Sequence, residues 1–438
     1  MKIVILAGGK GTRMGKLAAN IPKPMVLLAG KPILQYQVEN AKAYGYDDII
    51  MLTGYKEEVI KNFFGDGSAF GVNIEYITDE HPLGTAGAVK ELEEKLEEAF
   101  IVFYGDTMMD INLNNLVKYH HSKKGLATLV VHPNDHPHDS DLLEIDTNNR
   151  VKKFLSKPHT SGHYHQNLVN AALYVLDPKI FRHIEKNKFA DFGRDVFPEL
   201  VDSGEPVYVL NTTEYIKDIG TIDRLNEVEL DYVSGKVQRM NTTFKQKAIF
   251  LDRDGVINQE AEPIDSAGKF QLLAGVEDAL KRINKSDYLS VVVTNQPMIA
   301  KGFANEAQLQ EVHNYMETIL GQNGIYLDRI YYCPHHPEKG HVGERVDLKV
   351  PCSCRKPETG MLDLAALEMN IDLNQSFIVG DRTVDIMTGK HAGVKTILVR
   401  EGYAGLDGKY ECKPDYVFDD LAEAVNCITQ NDKTYPEK

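Results

Sequence analysis

Asp252 and Asp254 close the apolar run Ala248 to Leu251, two carboxylates separated by one residue in a chain of 438. Such a pair can do phosphate chemistry: the first acid as nucleophile, the second protonating the leaving oxygen and later activating water. Companions follow other apolar runs. Thr294, Asn295 and Gln296 offer a hydroxyl and two amides to a phosphate, Arg355 and Lys356 offer cations, and Asp381 offers a carboxylate that, with Asp252 and Asp254, would hold Mg²⁺. Cys333-Pro334-His335 and Cys352-Ser353-Cys354 make two claws of two ligands each, the donor set of a closed, structural zinc site. His336 is a rival to His335, though it breaks the symmetric spacing.

A second constellation lies about 240 residues earlier, in Leu6-Ala7-Gly8-Gly9-Lys10-Gly11-Thr12-Arg13. A glycine loop directly after a strand lets backbone N–H groups approach a triphosphate that side chains would keep away. Gly8, Gly9, Gly11 and Thr12 would form that cradle, with Arg13 and Lys23 set against the developing pyrophosphate. Gly84, in Pro82-Leu83-Gly84-Thr85-Ala86-Gly87, offers a second backbone-rich approach. Asp106 and Asp218 are two carboxylates able to bracket a nucleotide through Mg²⁺ in an in-line displacement. Glu80 could accept from guanine N1–H and N2–H₂, which adenine cannot match; the alternative is a solvated loop acid.

These residues must be positioned by strands. Ile3 to Leu6, Ile49 to Leu52, Ile74 to Ile77, Ile101 to Tyr104 and Ala127 to Val131 alternate with helical patterns such as Ala86 to Ala99. The second half repeats the theme with Ala248 to Leu251, Leu289 to Val293, Ser376 to Val379 and Thr396 to Val399. This predicts α/β architecture in two domains, 1–237 and 247–438, joined by a polar linker at 238–246 that follows a helix over Leu225 to Val237. Apart from the Arg-Lys pair, the residues grouped with Asp252 and Asp254 fall at the carboxyl ends of apparent parallel strands, where open α/β sheets bind ligands. The loops holding His132, His136 and His138, and His163 and His165, read as solvated.

A net charge of −15 argues against nucleic-acid or anionic-membrane partners, which need a basic field. Five cysteines make no even disulfide framework, and neither a signal peptide nor a run of roughly 20 apolar residues is visible, so a cytoplasmic chain is expected.

With these motifs in place, the first 235 or so residues resemble the sugar-phosphate nucleotidyltransferases, of Rossmann-like fold with a mixed, mostly parallel sheet. The resemblance implies attack by a sugar 1-phosphate on the α-phosphorus of a nucleoside triphosphate. It assigns Lys23 to the α-phosphate, Asp106 and Asp218 to Mg²⁺, Lys157 to the sugar phosphate and Asn170 to sugar hydroxyls. Family members often pair or tetramerise, which implies a homo-oligomer. A departure is Ser156, where the family often carries Glu.

Residues 244 to about 430 resemble the haloacid-dehalogenase superfamily, a Rossmannoid fold. The zinc claws and the Asp-Arg-Asp-Gly-Val-Ile-Asn run are similar to those of heptose 1,7-bisphosphate 7-phosphatases, with histidinol-phosphate phosphatases the nearest competitor. Pro297 and Met298 replace the usual Ser-Gly, and proline removes a backbone donor. Joined in one chain, the two resemblances imply that heptose bisphosphate is dephosphorylated to heptose 1-phosphate, which GTP then converts to GDP-heptose. The alternatives are one idle half, serving as a sensor or assembly module, or two active halves using another bisphosphate or nucleotide.

Overall fold

Runs of Ile, Val, Leu and Phe form the strands at the centre of each half. In the computed structural model, which describes residues 1–9, 21–78, 82–159, 162–261 and 263–430, the chain forms two compact units. The first comprises 1–132, 140–158 and 168–243; the second comprises 133–139, 159–167 and 244–438.

The first unit is built on a nine-stranded sheet. Its strands are β1 (Ile3–Leu6), β2 (Asp48–Thr53), β3 (Asn73–Thr78), β4 (Phe100–Tyr104), β6 (Ala127–His132), β7 (Leu142–Ile145), β8 (Val151–Leu155), β9 (Val169–Leu176) and β10 (Val207–Asn211). Strands β4, β1, β2 and β3 lie side by side and parallel. β9 runs antiparallel to β4 and to β6, and β6 pairs in parallel with β10. This is the mixed sheet expected. Val4, Ile50, Val102 and Tyr174 enter the core on one face and Ile3, Ile5, Met51 and Phe103 on the other, as the two-residue period of a strand requires. A separate antiparallel ribbon joins β5 (Thr107–Asp110) to β11 (Tyr215–Asp218).

After α1 (Ile33–Ala43), the helix predicted over Ala86 to Ala99 is shorter: α2 spans Gly84–Lys90, and a 3₁₀ turn at Glu93–Lys95 follows. That tighter turn still buries Leu92 and Leu96. The helix expected over Leu225 to Val237 is likewise interrupted after α3 (Ile222–Val233), because Gly235 takes φ +77° before a short turn over Lys236–Arg239. The 238–246 stretch is tied down rather than free. Buried Glu214 accepts from the N–H of Thr242 at 2.9 Å, its hydroxyl at 2.7 Å and the N–H of Asn112 at 3.0 Å. Asn241 meanwhile donates to Asp110 at 2.6 Å.

The second unit holds six parallel strands: β12 (Lys247–Leu251), β13 (Tyr288–Asn295), β14 (Arg329–Cys333), β15 (Phe377–Gly380), β16 (Lys395–Val399) and β17 (Tyr416–Phe418). Their spatial order is β14-β13-β12-β15-β16-β17, so the direction of winding reverses at β12, and ligands bind outside such a switch point. Of its helices, α4 (Glu306–Gln322) begins with a capping box in which Asn305 and Gln308 exchange side-chain and backbone hydrogen bonds.

His165 alone of the loop histidines is buried, which corrects its reading as solvated, while His138 and His163 are exposed as expected. His165 is buried, and its N–H donates to Thr318 Oγ1 of α4 at 3.0 Å. Tyr164 meets Tyr315 edge-on at 4.8 Å. Glu317 accepts from the Asn167 N–H, and burial pushes its carboxyl up to about 8. Gly321 makes room for Pro137: a Cβ there would stand 2.5 Å from the proline Cγ. Gly321→Ala is therefore expected to destabilise the second unit by about 1–3 kcal/mol through overpacking, exceeding alanine's helix preference of at most about 1 kcal/mol. Urea unfolding of the full chain measures the difference.

Among the described residues, no helix is long and apolar enough to cross a membrane.

Candidate functional site

In the second unit, β12 delivers Asp252 to the switch point, where the Asp252 N–H donates to Val379 O of β15 at 3.0 Å. Asp252, Asp381 and Asp385 bring carboxylate oxygens within 4.8 Å of one another. Lys356 Nζ lies 3.0 Å from Asp252 Oδ1 and 2.5 Å from Asp385 Oδ1. Burial disfavours the Lys356 ammonium, but the two facing carboxylates overcome this and raise its pKa. One lysine cannot balance three acids. Burial, then repulsion from Asp252 and Asp385, pushes Asp381 up to about 8. Burial raises Asp385 to about 6 against the pull of Lys356. Asp381 Oδ1 is buried with no hydrogen-bond partner among the described residues. An excess of buried carboxylate oxygen, one atom of it orphaned, fits a hard divalent cation such as Mg²⁺.

The backbone is shaped around these acids. Gly255 (φ +81°) and Gly402 (φ +60°) pass so close to Asp381 that a Cβ on either would stand 2.4 and 2.2 Å from its Oδ2. The N–H of Tyr403 donates to the same oxygen at 2.8 Å.

Asp254 departs from the expected metal set: its carboxylate is absent from the cluster, and Asp385 takes that place. Burial would raise the Asp254 pKa, but the Arg253 guanidinium and the amides of Asn258 and Gln296 hold it below the usual carboxylate range. Asn295 and Gln296, expected at a phosphate, bond to protein groups. Asn295 clasps the Lys356 backbone, donating to its carbonyl at 3.1 Å and accepting from its N–H at 3.0 Å. Gln296 Nε2 donates to Asp254 Oδ2 and to Thr294 Oγ1, both at 2.9 Å. The Thr294 hydroxyl and Lys356 ammonium are thereby positioned rather than left to rotate.

The claws close as expected. Cys354 Sγ is 3.3 Å from both Cys333 Sγ and Cys352 Sγ, and Cys333 is 3.6 Å from Cys352. His335 Nδ1 lies 3.7 Å from Cys333 and 3.4 Å from Cys354. Bonded sulfurs would be about 2.05 Å apart, so these are not disulfides. The edge of a zinc tetrahedron with 2.3 Å Zn–S bonds is about 3.8 Å, close to the separations here, so the cluster fits zinc. His336 faces Glu338 instead, with Nδ1 3.4 Å from its carbonyl oxygen. Arg355 Nη1 donates to His335 O at 3.0 Å, which ties the cation loop to the claw.

In the first unit, Asp106 and Asp218 meet at one end of the ribbon: Asp218 pairs with Thr107, and the Ile219 N–H donates to Asp106 O at 3.0 Å. Lys23 Nζ contacts Asp106 Oδ2, and Arg224 Nη1 contacts both Asp218 oxygens at 2.7 and 2.9 Å. The two acids thus stand on neighbouring strand ends, each with one cation beside it. Buried Gln37 fixes this corner by donating to Tyr104 O at 2.8 Å and Thr107 O at 2.6 Å, a role without a motif to announce it.

Asp141 links the Lys157 and Asn170 segments. Its carboxylate accepts from the Lys157 N–H at 3.2 Å, and its carbonyl from the Asn170 N–H at 3.1 Å. Asn170 Nδ2 lies 3.2 Å from Tyr174 OH. Gly84 packs closely against the chain: a Cβ would stand 2.5 Å from Ala190 O, which accepts from the N–H groups of Ala86 and Gly87. Gly8 closes against Gly54, while Gly9 has no neighbour within 4 Å of a Cβ position among the described residues. Gly11, Thr12, Arg13 and Glu80 lie outside the described residues.

Residues 2–235 match the nucleotidyl transferase family, and residues 353–424 match the HAD-hydrolase-like family. The chain is 32% identical to the UTP–glucose-1-phosphate uridylyltransferase of Synechocystis over 51% of its own length, covering 61% of that protein. It is 34% identical to the mannose-1-phosphate guanylyltransferase of Mycobacterium tuberculosis over 53% of its length, covering 64% of that relative. To the D-glycero-beta-D-manno-heptose-1,7-bisphosphate 7-phosphatase of Haemophilus ducreyi it is 42% identical over 41% of its length, covering 97% of the relative.

Proposed function

Since the chain belongs to the nucleotidyl transferase family through residues 2–235 and to the haloacid-dehalogenase-type phosphatases that include the Haemophilus enzyme, we propose that it makes a nucleotide-activated heptose in two steps. The single observation carrying this reading is the joining of these families in one chain. A phosphatase that removes the 7-phosphate and spares the anomeric one leaves a sugar 1-phosphate, the substrate class of a nucleotidyltransferase. Histidinol phosphate would leave nothing for it to use.

In the first step Asp252 attacks the 7-phosphorus. The P–O bond to the sugar breaks, and the leaving oxygen takes a proton from Asp254. Asp254 then accepts a proton from water, whose oxygen attacks the phosphoaspartate to release inorganic phosphate and restore Asp252. Lys356 and Thr294 hold the phosphoryl oxygens. Asp252, Asp381 and Asp385 would hold Mg²⁺, which supplies positive charge against the phosphoryl group. Cys333, His335, Cys352 and Cys354 would hold a structural Zn²⁺.

In the second step the heptose 1-phosphate, held by Lys157 and Asn170, attacks the α-phosphorus of the nucleotide. Pyrophosphate leaves from the Gly8, Gly9, Gly11, Thr12 and Arg13 cradle while Lys23 steadies the α-phosphate. Asp106 and Asp218 would hold the Mg²⁺ of this site. The transferase relatives differ in nucleotide, so GTP rests on the Glu80 carboxylate and its match to guanine. GDP-heptose is then the product.

³¹P NMR of the full chain with Mg²⁺ and each anomer of heptose 1,7-bisphosphate tests both steps. Phosphate release, followed by pyrophosphate and a sugar diphosphate signal only once GTP is added, is the expected result. Phosphate without pyrophosphate for any nucleotide would sink the transferase reading, and no phosphate would sink the heptose assignment. In the same assay Asp218→Asn should lower pyrophosphate formation by about 10²–10³-fold, through loss of a metal carboxylate, while phosphate release persists.

A further inference from the structure

Arg253, the residue between the two catalytic acids, has no part in the steps above, yet its side chain is fully buried. Its guanidinium grips Asp254 as a fork. Nε lies 3.0 Å from Oδ1, and Nη2 lies 2.8 Å from Oδ1 and 2.9 Å from Oδ2. Asn258 Nδ2 and Gln296 Nε2 add one bond each, to Oδ1 and Oδ2, at 2.9 Å. The other arm, Nη1, is 3.2 Å from Nε2 of buried His313 on α4. Arginine can only donate, so Nε2 accepts and His313 is the neutral tautomer carrying its proton on Nδ1. The His313 ring is set in turn by an edge contact with Tyr332 at 5.9 Å.

We propose that Arg253, itself oriented by His313, is a positioning residue that fixes the plane of the Asp254 carboxylate for proton transfer. This rests on the phosphatase reading above. A carboxylate must present a chosen oxygen to the leaving group, and a planar fork contacting both oxygens stops the rotation that would turn it away; lysine, a point charge, could not do this. His313 removes the remaining freedom of the fork. No atom of Arg253 or His313 gains or loses a proton in the cycle. The proton that leaves Asp254 for the sugar oxygen returns to it from water.

The test compares substrates that do and do not need a proton on the leaving oxygen. β-Glycerophosphate releases an alkoxide, p-nitrophenyl phosphate a stable phenolate, and kcat/KM reports only formation of the phosphoenzyme. With the full chain and Mg²⁺, Arg253→Gln is expected to lose about 10²–10³-fold on β-glycerophosphate and under about 10-fold on p-nitrophenyl phosphate, the span assigned to general acid catalysis. Arg253→Lys should resemble Arg253→Gln. His313→Leu should show a milder loss of the same selectivity, about 10-fold, and His313→Gln, whose carbonyl can accept from Nη1, should recover most of it. If Arg253→Gln fails to fold, the His313 pair carries the test. Equal losses on both substrates, or none on either, in folded variants would overturn the positioning role. A wild-type chain inactive on both would overturn the phosphatase reading, and this one with it.

Discussion

Asp252→Asn will release no measurable phosphate from a heptose bisphosphate, a loss of about 10⁴-fold or more, and will keep its transferase activity and its fold. The amide cannot form the phosphoenzyme, and removal of a nucleophile has effects of this order. Its structural cost is small because asparagine keeps an acceptor oxygen for the Arg253 N–H, at 2.7 Å from Asp252 Oδ1, and for Lys356 Nζ, at 3.0 Å. Stability should even rise slightly. With Asp252 neutral, Asp385 keeps its pairing with Lys356, and both Asp381 and Asp385 lose a repelling neighbour. Phosphate and pyrophosphate release measured side by side, with a thermal melt of each protein in chelator, check all three statements. Phosphate release by the variant at more than about a hundredth of the wild-type rate would exclude Asp252 as the nucleophile.

Cys354→Ala will have the second-largest effect, on metal content, stability and phosphate release together. The residue supplies one corner of the cluster and stands two positions before Lys356, so a loosened claw frees the backbone that carries the site's lysine. Structural zinc in small domains contributes about 10 kcal/mol or more of apparent binding energy, though here other ties remain. Lys349 Nζ donates to Glu338 O at 2.7 Å and meets Glu344 at 3.3 Å within the same loop. We therefore expect local loosening with a lower melting temperature, zinc falling from one per chain to none, and phosphate release reduced about 100-fold, the upper range for disturbed metal support. Elemental analysis and the two product assays decide it. A variant that retains both zinc and full phosphatase activity would refute the assignment of the claw.

The sequence was most legible where chemistry and strand end coincide. Asp252, Asp381 and the claws follow or flank buried apolar runs, and the central strands of both sheets have patterns that only burial explains. Edge strands were harder to see. β8 (Val-Lys-Lys-Phe-Leu) and β17 (Tyr-Val-Phe) are short and half-exposed, so their neighbours, rather than their own residues, make them strands. Asp385 was visible four residues beyond Asp381, but only the fold of α5 (Thr383–Ala392) turns it towards Asp252. Gln37 and Asp141 were illegible because their partners are backbone groups of distant segments. His165 misled because polar composition suggested solvent, whereas its segment packs on Tyr315, Glu317 and Thr318, which are distant in sequence.

The second unit is assembled from three stretches of chain, and two of them, 133–139 and 159–167, fall within the residues that match the transferase family. Heredity and packing thus divide this polypeptide differently. A gene cut at codon 244 would yield a phosphatase polypeptide lacking the segments that cover Tyr315, Glu317 and Gly321, and a transferase polypeptide whose two loops had evolved against a surface no longer attached. Substitutions in those loops should accordingly track substitutions on α4 more closely than they track those of free-standing nucleotidyl transferases.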